Sequence, residues 1–341
     1  MAYTTINKSS AHFNTATWTG NNTARSITGV GHQPDLVWIK SRTQSYDHAL
    51  FDAVRDGHTY YIETNTNSAE ITDAQTLTSM NSDGFSLGTS NLVNQNVQNH
   101  VAWNWKANGT GAANTAGSIN STVSVNTTAG FSIVKYTGTG SAATVGHGLG
   151  VKPDMIFSKP YSTTGDWNIY HDSFSSQQRI KLNSTGAVST NSGIFSSLPT
   201  STLVNIGTSG DINANGTSHL FYCFNSVKGY SKFGKFIGNG NADGPFIYTG
   251  FKPAFVMLKN TATTSSWEIL DNKRNTFNST AKTIFPDGAG AEYDYTNKLD
   301  LLSNGFKLKS NSPNGSGNTI IYMAFAEAPL VGSNNVPCTA R

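Results

Sequence analysis

Cysteine is scarce: Cys223 and Cys338 are the only two in 341 residues. Two cysteines make no disulfide framework, so stability has to come from a packed core. Cys223, inside the aromatic run FYCF, reads as a small buried hydrophobe, whereas Cys338 lies near the terminus and could be exposed. Charge is scarce as well. Only 13% of residues are charged, the net charge is +3, and Lys and Arg are scattered without a run. That argues against a nucleic-acid surface, which concentrates basic residues. No stretch approaches the roughly 20 apolar residues of a membrane helix, so no membrane insertion is expected. The opening MAYTTINKSS lacks the apolar segment of a secretory signal, so any export would use another route, such as lysis.

Chemistry-bearing motifs are missing too. The histidines His32, His147, His100 and His219 form no HxxxH or HExxH pattern, and no acid-rich calcium loop appears. No nucleophile elbow is present, and Gly-rich pieces such as Gly138 to Gly140 lack the Lys and helix of a phosphate loop. The expectation is therefore no metal, no cofactor and no enzyme activity. Helical periodicity is nearly absent; the best candidate, Ser68 to Met80, is short and rich in Thr.

What is abundant is Gly, at 33 residues, together with Ser, Thr and Asn. A surface of neutral amides and hydroxyls suits extracellular or virion β-proteins. The chain is organised by one unit that occurs three times: GHQPDLVWIK (Gly31 to Lys40), GVKPDMIFSK (Gly150 to Lys159) and GFKPAFVMLK (Gly250 to Lys259). Each reads as a turn fixed by Pro34, Pro153 or Pro253, feeding a buried strand that ends on Lys40, Lys159 or Lys259. Ahead of the unit stand FNTATWTG, FSIVKYTG and the looser FGKFIG. Behind it come an aromatic and an acid: Tyr46 and Asp52, Trp167 and Asp172, Trp267 and Asp271, each followed by Arg55, Arg179 or Arg274. Each repeat closes on an aromatic strand, HVAWNW, HLFYCF or IIYMAF, and Asn215-Gly216 and Asn314-Gly315 mark turns before two of them.

The reading is an all-β protein of three tandem β-sandwich repeats. Residues 1–12 form an arm, 13–106 the first repeat, and 107–129 a Gly/Ala/Ser/Thr-rich linker or surface loop. Residues 130–226 and 227–330 are the second and third repeats, and 331–341 a tail. The long first joint and short second joint predict that repeats two and three pack closely while the first is more independent.

For the recurring residues the structural reading comes first. Asp52, Asp172 and Asp271 recur as turn caps and salt-bridge partners, and Asp35 and Asp154 recur in two copies. A polysaccharide depolymerase, which needs paired carboxylates, is the lesser alternative. Trp38, Trp167 and Trp267 fall in predicted strands and default to the core; lining a groove instead, they would be candidate glycan contacts.

The GxxPDxVWIK turn and strand, the Asp83-Gly84-Phe85 element and the VAWxW strand resemble a domain repeated in structural proteins of tailed, especially marine, bacteriophages. The likeness is best over 13–106, more diverged over 130–225 and 233–326, and departs at Ala254, where the other copies have Asp. It implies a jelly-roll or lectin-like sandwich in a non-enzymatic virion protein, with other virion proteins as partners. A tail fibre or fibre-like appendage touching host surface glycan comes first, assembled as a homo-oligomer, a trimer if it is a fibre. A capsid head decoration or cement protein is the alternative.

Overall fold

The computed structural model describes residues 3–55, 58–332, 334 and 336, so Cys338 and most of the C-terminal tail lie outside the described residues. The chain is predominantly β, in antiparallel sheets. Every repeat contributes four strands in one spatial order: opening, closing, motif, acid. The opening strands are Phe13–Thr19, Phe131–Thr137 and Ser231–Ile237. The motif strands are Leu36–Ser41, Met155–Pro160 and Phe251–Asn260, and the acid strands Ala49–Asp52, Asn168–His171 and Glu268–Asp271. The closing strands are Asn99–Trp105, Ser218–Phe224 and Thr319–Pro329.

The motif strands are buried on both faces, which is why their apolar residues run without alternation. In repeat one Val37 and Ile39 face outward, into a cluster with Ile27, Leu77, Phe85 and Leu87 of a smaller outer sheet. Leu36 and Trp38 point the other way. They join a second cluster that takes residues from all three repeats. Repeats two and three repeat this division, with their own outer clusters around Ile156 and Val256. Three sheets thus form walls around one shared core.

The axis of this core is marked by Trp105, Phe224 and Phe325, which hold equivalent places opposite Leu36, Met155 and Phe255. Their rings contact one another pairwise at 5.8–6.4 Å between centroids. Equivalent residues of the three repeats thus meet at one place, an approximately threefold arrangement. Repeat one is therefore no more independent than the others, contrary to the expectation from joint lengths.

Segment 107–129 is not a linker. It forms the strands Ala112–Asn114 and Ser121–Asn126, and the second pairs antiparallel with the opening strand of repeat two. Val123 packs into the repeat-two cluster, and Gly117 and Ile119 bridge to Val145. Alternating small and β-branched residues suit an added edge strand, although too few are apolar to announce one.

The turn after each opening strand is a close approach of backbone to backbone. A Cβ on Gly20 would lie 2.1 Å from the Gln95 carbonyl oxygen, on Gly138 2.3 Å from that of Ala214, and on Gly238 2.3 Å from that of Gly315. Backbone on both sides leaves no flexible atom to give way. Gly138→Ala should cost about 3 kcal/mol, the upper end for overpacking, read as a drop in denaturant midpoint. An unchanged midpoint would mean the turn is looser than drawn.

Candidate functional site

Two of the recurring acids, Asp52 and Asp271, sit at the joints between repeats. Asp52 Oδ1 accepts the backbone N–H groups of Val54 and Arg55 at 3.1 and 3.0 Å, while Oδ2 meets Arg55 Nε at 2.7 Å. Tyr222 of repeat two donates its hydroxyl to the same Oδ2 at 2.8 Å. Asp271 repeats the arrangement with Lys273, Arg274 and, from repeat one, Trp103 Nε1 at 3.0 Å. Both Asp–Arg pairs are fully buried, and each guanidinium also donates to a carbonyl, Leu50 or Ile269. Burial tends to lower the Arg55 pKa, but Asp52, Tyr222 and Glu70 together outweigh it and hold the guanidinium above its usual range. These carboxylates are committed to bonds inside the body, which removes them as a hydrolytic pair.

Repeat two departs from this pattern. The residue opposite Met155, where the others place Asp opposite Leu36 and Phe255, is His171 rather than Asp172. Three residues on, Phe174 replaces the arginine and contacts the His171 ring at 5.8 Å. Asp172 belongs instead with Ala53 and Asn272, whose N–H groups bond to carbonyls of Asp154, Asp35 and Ala254 respectively. It makes a surface ion pair with Lys152. Arg179 lies farther on, in the strand Gln178–Lys181. No residue is inserted in WNIYHD: His171 stands four residues after Trp167, as Asp271 does after Trp267, and the acid falls one place later.

Trp38, Trp167 and Trp267 are 2% exposed or less, so none offers a face to a sugar. They are not equivalent either, since Trp38 stands on the motif strand and the other two just before the acid strand. The place of Trp167 and Trp267 is taken in repeat one by His48. These three side chains close a ring of bonds between repeats. Trp167 Nε1 donates to the Glu63 carbonyl at 2.7 Å, and Trp267 Nε1 to that of Lys181 at 2.9 Å. His48 Nε2 meets the carbonyl of Phe285 at 3.0 Å. Trp38 Nε1 donates to His48 Nδ1 at 2.8 Å, which fixes the His48 proton on Nε2.

Pro34, Pro153 and Pro253 are buried at the entry to the motif strands. Lys40, Lys159 and Lys259 are buried at the far end, where each ammonium ties down the loop that follows. Lys40 donates to Ser41 and Gln44 carbonyls at 2.8 and 3.2 Å, Lys159 to Gly165 at 2.6 Å, and Lys259 to Thr185 at 2.9 Å and also to Ser265. Burial pulls all three pKa values down to about 8. Asp35 and Asp154 fasten the exits of their repeats, accepting from Ala107 and Gly109 and from Ser226. In repeat three the closing strand itself runs on to Pro329, paired with Phe251 and Lys252, and Ala254 stands in the place of the aspartate.

Three buried amides hold equivalent places, and of these the sequence pointed only to Asn314, as a turn residue. Asn94, Asn213 and Asn314 each stand six residues before His100, His219 and Ile320. Each accepts from the backbone after the opening strand, at Asn21, Thr139 and Asn239. Each also donates back to carbonyls of that loop or of the loop after the outer sheet. Their constant offset was the available signal, masked by the neighbouring Asn215-Gly216 turn.

Among the described residues no group of three His, Cys, Asp or Glu could hold a metal. Several open concavities lie among the described residues. One, about 380 Å³, is walled by Thr122, Lys135, Tyr161 and Ser218. Another, about 390 Å³, lies in repeat three between Lys252, Asn272 and Phe277.

A family model described as a domain of unknown function, DUF7483, matches residues 8–329. The chain belongs to that family. The match takes in all three repeats, so the DUF7483 unit is the whole body around the shared core. No curated protein matches the DUF7483 chain.

Two outcomes are expected. Asp271→Ala leaves the buried Arg274 with Glu292 but without its closest carboxylate, and should cost about 3 kcal/mol, the lower end for breaking a buried pair, by equilibrium denaturation. A loss under about 1 kcal/mol would show the pair to be solvated. Burial also lowers His32, His100, His171 and His219 to about 4 and His48 to about 3. They are neutral in the fold but take up protons near pH 6.5 when unfolded, so their contribution is intact above about 6.5 and lost as pH falls towards about 4. The melting temperature should fall steadily between pH 7 and 4.5; a flat profile would contradict this burial.

Proposed function

We propose that the protein is a non-enzymatic structural component of a tailed-phage particle, carried on a tail fibre or fibre-like appendage that touches the host surface. The observation that carries this reading is where the chemistry is spent. Asp52, Asp271, Trp167 and Trp267 are buried and bonded across the joints between repeats, and the recurring lysines are buried and tie down loops. A body so invested in its own rigidity suits a mechanical part that displays loops at its surface. Each repeat, with an inner and an outer sheet about an apolar cluster, is read as a lectin-like sandwich, in keeping with the resemblance of the motif strands.

Head decoration is the second reading, and the threefold arrangement favours it. One chain that already places three similar walls around an axis matches a local threefold of a capsid lattice without forming a trimer itself. The same geometry also fits the end of a trimeric fibre, with this chain as a single cap. Gold-tagged antibody against the chain, applied to purified particles and viewed by electron microscopy, separates these. Label on tail appendages is the expected result. Label over the head would replace the appendage reading with decoration, and bare particles would remove both.

A further inference from the structure

The turn that follows the acid strand differs among the repeats in one respect. At its equivalent positions stand Ala53, Asp172 and Asn272. In repeat two Asp172 and Lys152 close the surface as an ion pair. Repeat three has Lys252 in the place of Lys152, but Asn272 offers no charge, and Lys252 turns instead to Glu327 at 2.8 Å. Asn272 Oδ1 is left shielded from solvent with no hydrogen-bond partner. That is a cost unless a donor arrives.

Beyond Asn272 the chain makes a polar loop that returns to the outer sheet at Thr280, with Phe277 at its tip, 84% exposed. The loop is held in place. Asn278 bonds the Leu301 backbone in both directions at 2.9 Å, and Asn275 Oδ1 accepts from Ala281 and Lys282 at 3.1 and 2.8 Å. It walls a half-open concavity of about 390 Å³, within the range of small-ligand sites. Lys252 is paired with Glu327, Lys273 adds one further positive charge, and the rest of the lining is amide, hydroxyl, Phe277 and Leu301. Such a lining, with one aromatic face and a carboxylate that would repel a phosphate, matches a polyhydroxyl ring better than a phosphate or an apolar peptide.

We infer that the concavity between Asn272, Lys252 and Phe277 is a saccharide subsite. A pyranose lays its C–H face on Phe277. Its hydroxyls donate to Glu327 and accept from Lys252 and the Asn275 amide. This deepens the host-contact reading, yet its test does not depend on where the protein sits on a particle.

Full-length protein is mixed with maltohexaose, laminarihexaose and mannohexaose and followed by saturation-transfer NMR and calorimetry. At least one oligomer should bind, and Phe277→Ala should weaken it about tenfold, the loss of one aromatic stacking contact, without moving the melting temperature. Asn272→Asp should abolish binding by drawing Lys252 back into the pairing of repeat two, and its melting temperature should hold or rise. Failure of all three oligomers to bind, or binding untouched by both substitutions, overturns the inference. If gold still marks the appendages in that case, the structural role stands and only the subsite falls.

Discussion

The constraint on which everything else depends is that the inner sheets are apolar on both faces. The outer sheet of a repeat covers one face only. The other face, carrying Trp38 and Trp103, Phe157 and Tyr222, or Met257 and Met323, has nothing to bury against except the other two repeats. Exposed, each would present a large contiguous apolar surface to water, which soluble proteins avoid. Closing the three walls on one another removes all three surfaces at once. The arrangement also explains why the N-terminal arm matters: Ile6 enters the shared core, and Tyr3 donates to the Gly250 carbonyl of repeat three.

Polar groups at the joints follow a matching rule. Where a closing strand supplies a donor, Tyr222 or Trp103, the facing repeat supplies Asp52 or Asp271 with its arginine. Where the closing strand supplies Met323, which cannot donate, the facing repeat has His171 and Phe174. A buried carboxylate without that donor and arginine would be expensive, so acid, arginine and donor appear together or are absent together. The glutamates extend the network outward. Glu292 of repeat three meets Arg274 at 3.0 Å and Arg42 of repeat one at 2.9 Å.

The repeat itself was legible because its motif strand carries a dense signal: Pro at entry, apolar residues on both faces, Lys at exit. The all-β class followed from turn chemistry and the poverty of helical periodicity. What the sequence could not disclose was the destination of the second apolar face. Trp38 facing a shared core and Trp38 lining a groove require the same residue in the same strand. The register of repeat two was misjudged because Asp172 matches Asp52 in type while His171 matches it in place. The concavity in repeat three was missed for a related reason. It is made by an absence, the lost carboxylate at Asn272, and by a loop whose Phe277 belongs to no recurring motif.

Native-state hydrogen exchange followed by mass spectrometry tests the shared core most directly. If the three walls stand or fall together, amides of Leu36–Ser41, Met155–Pro160 and Phe251–Asn260 should exchange through one opening, with one free energy and one denaturant dependence. A separate, easier opening of Leu36–Ser41 would mean that repeat one buries its inner face without the others, and the single body would have to be abandoned.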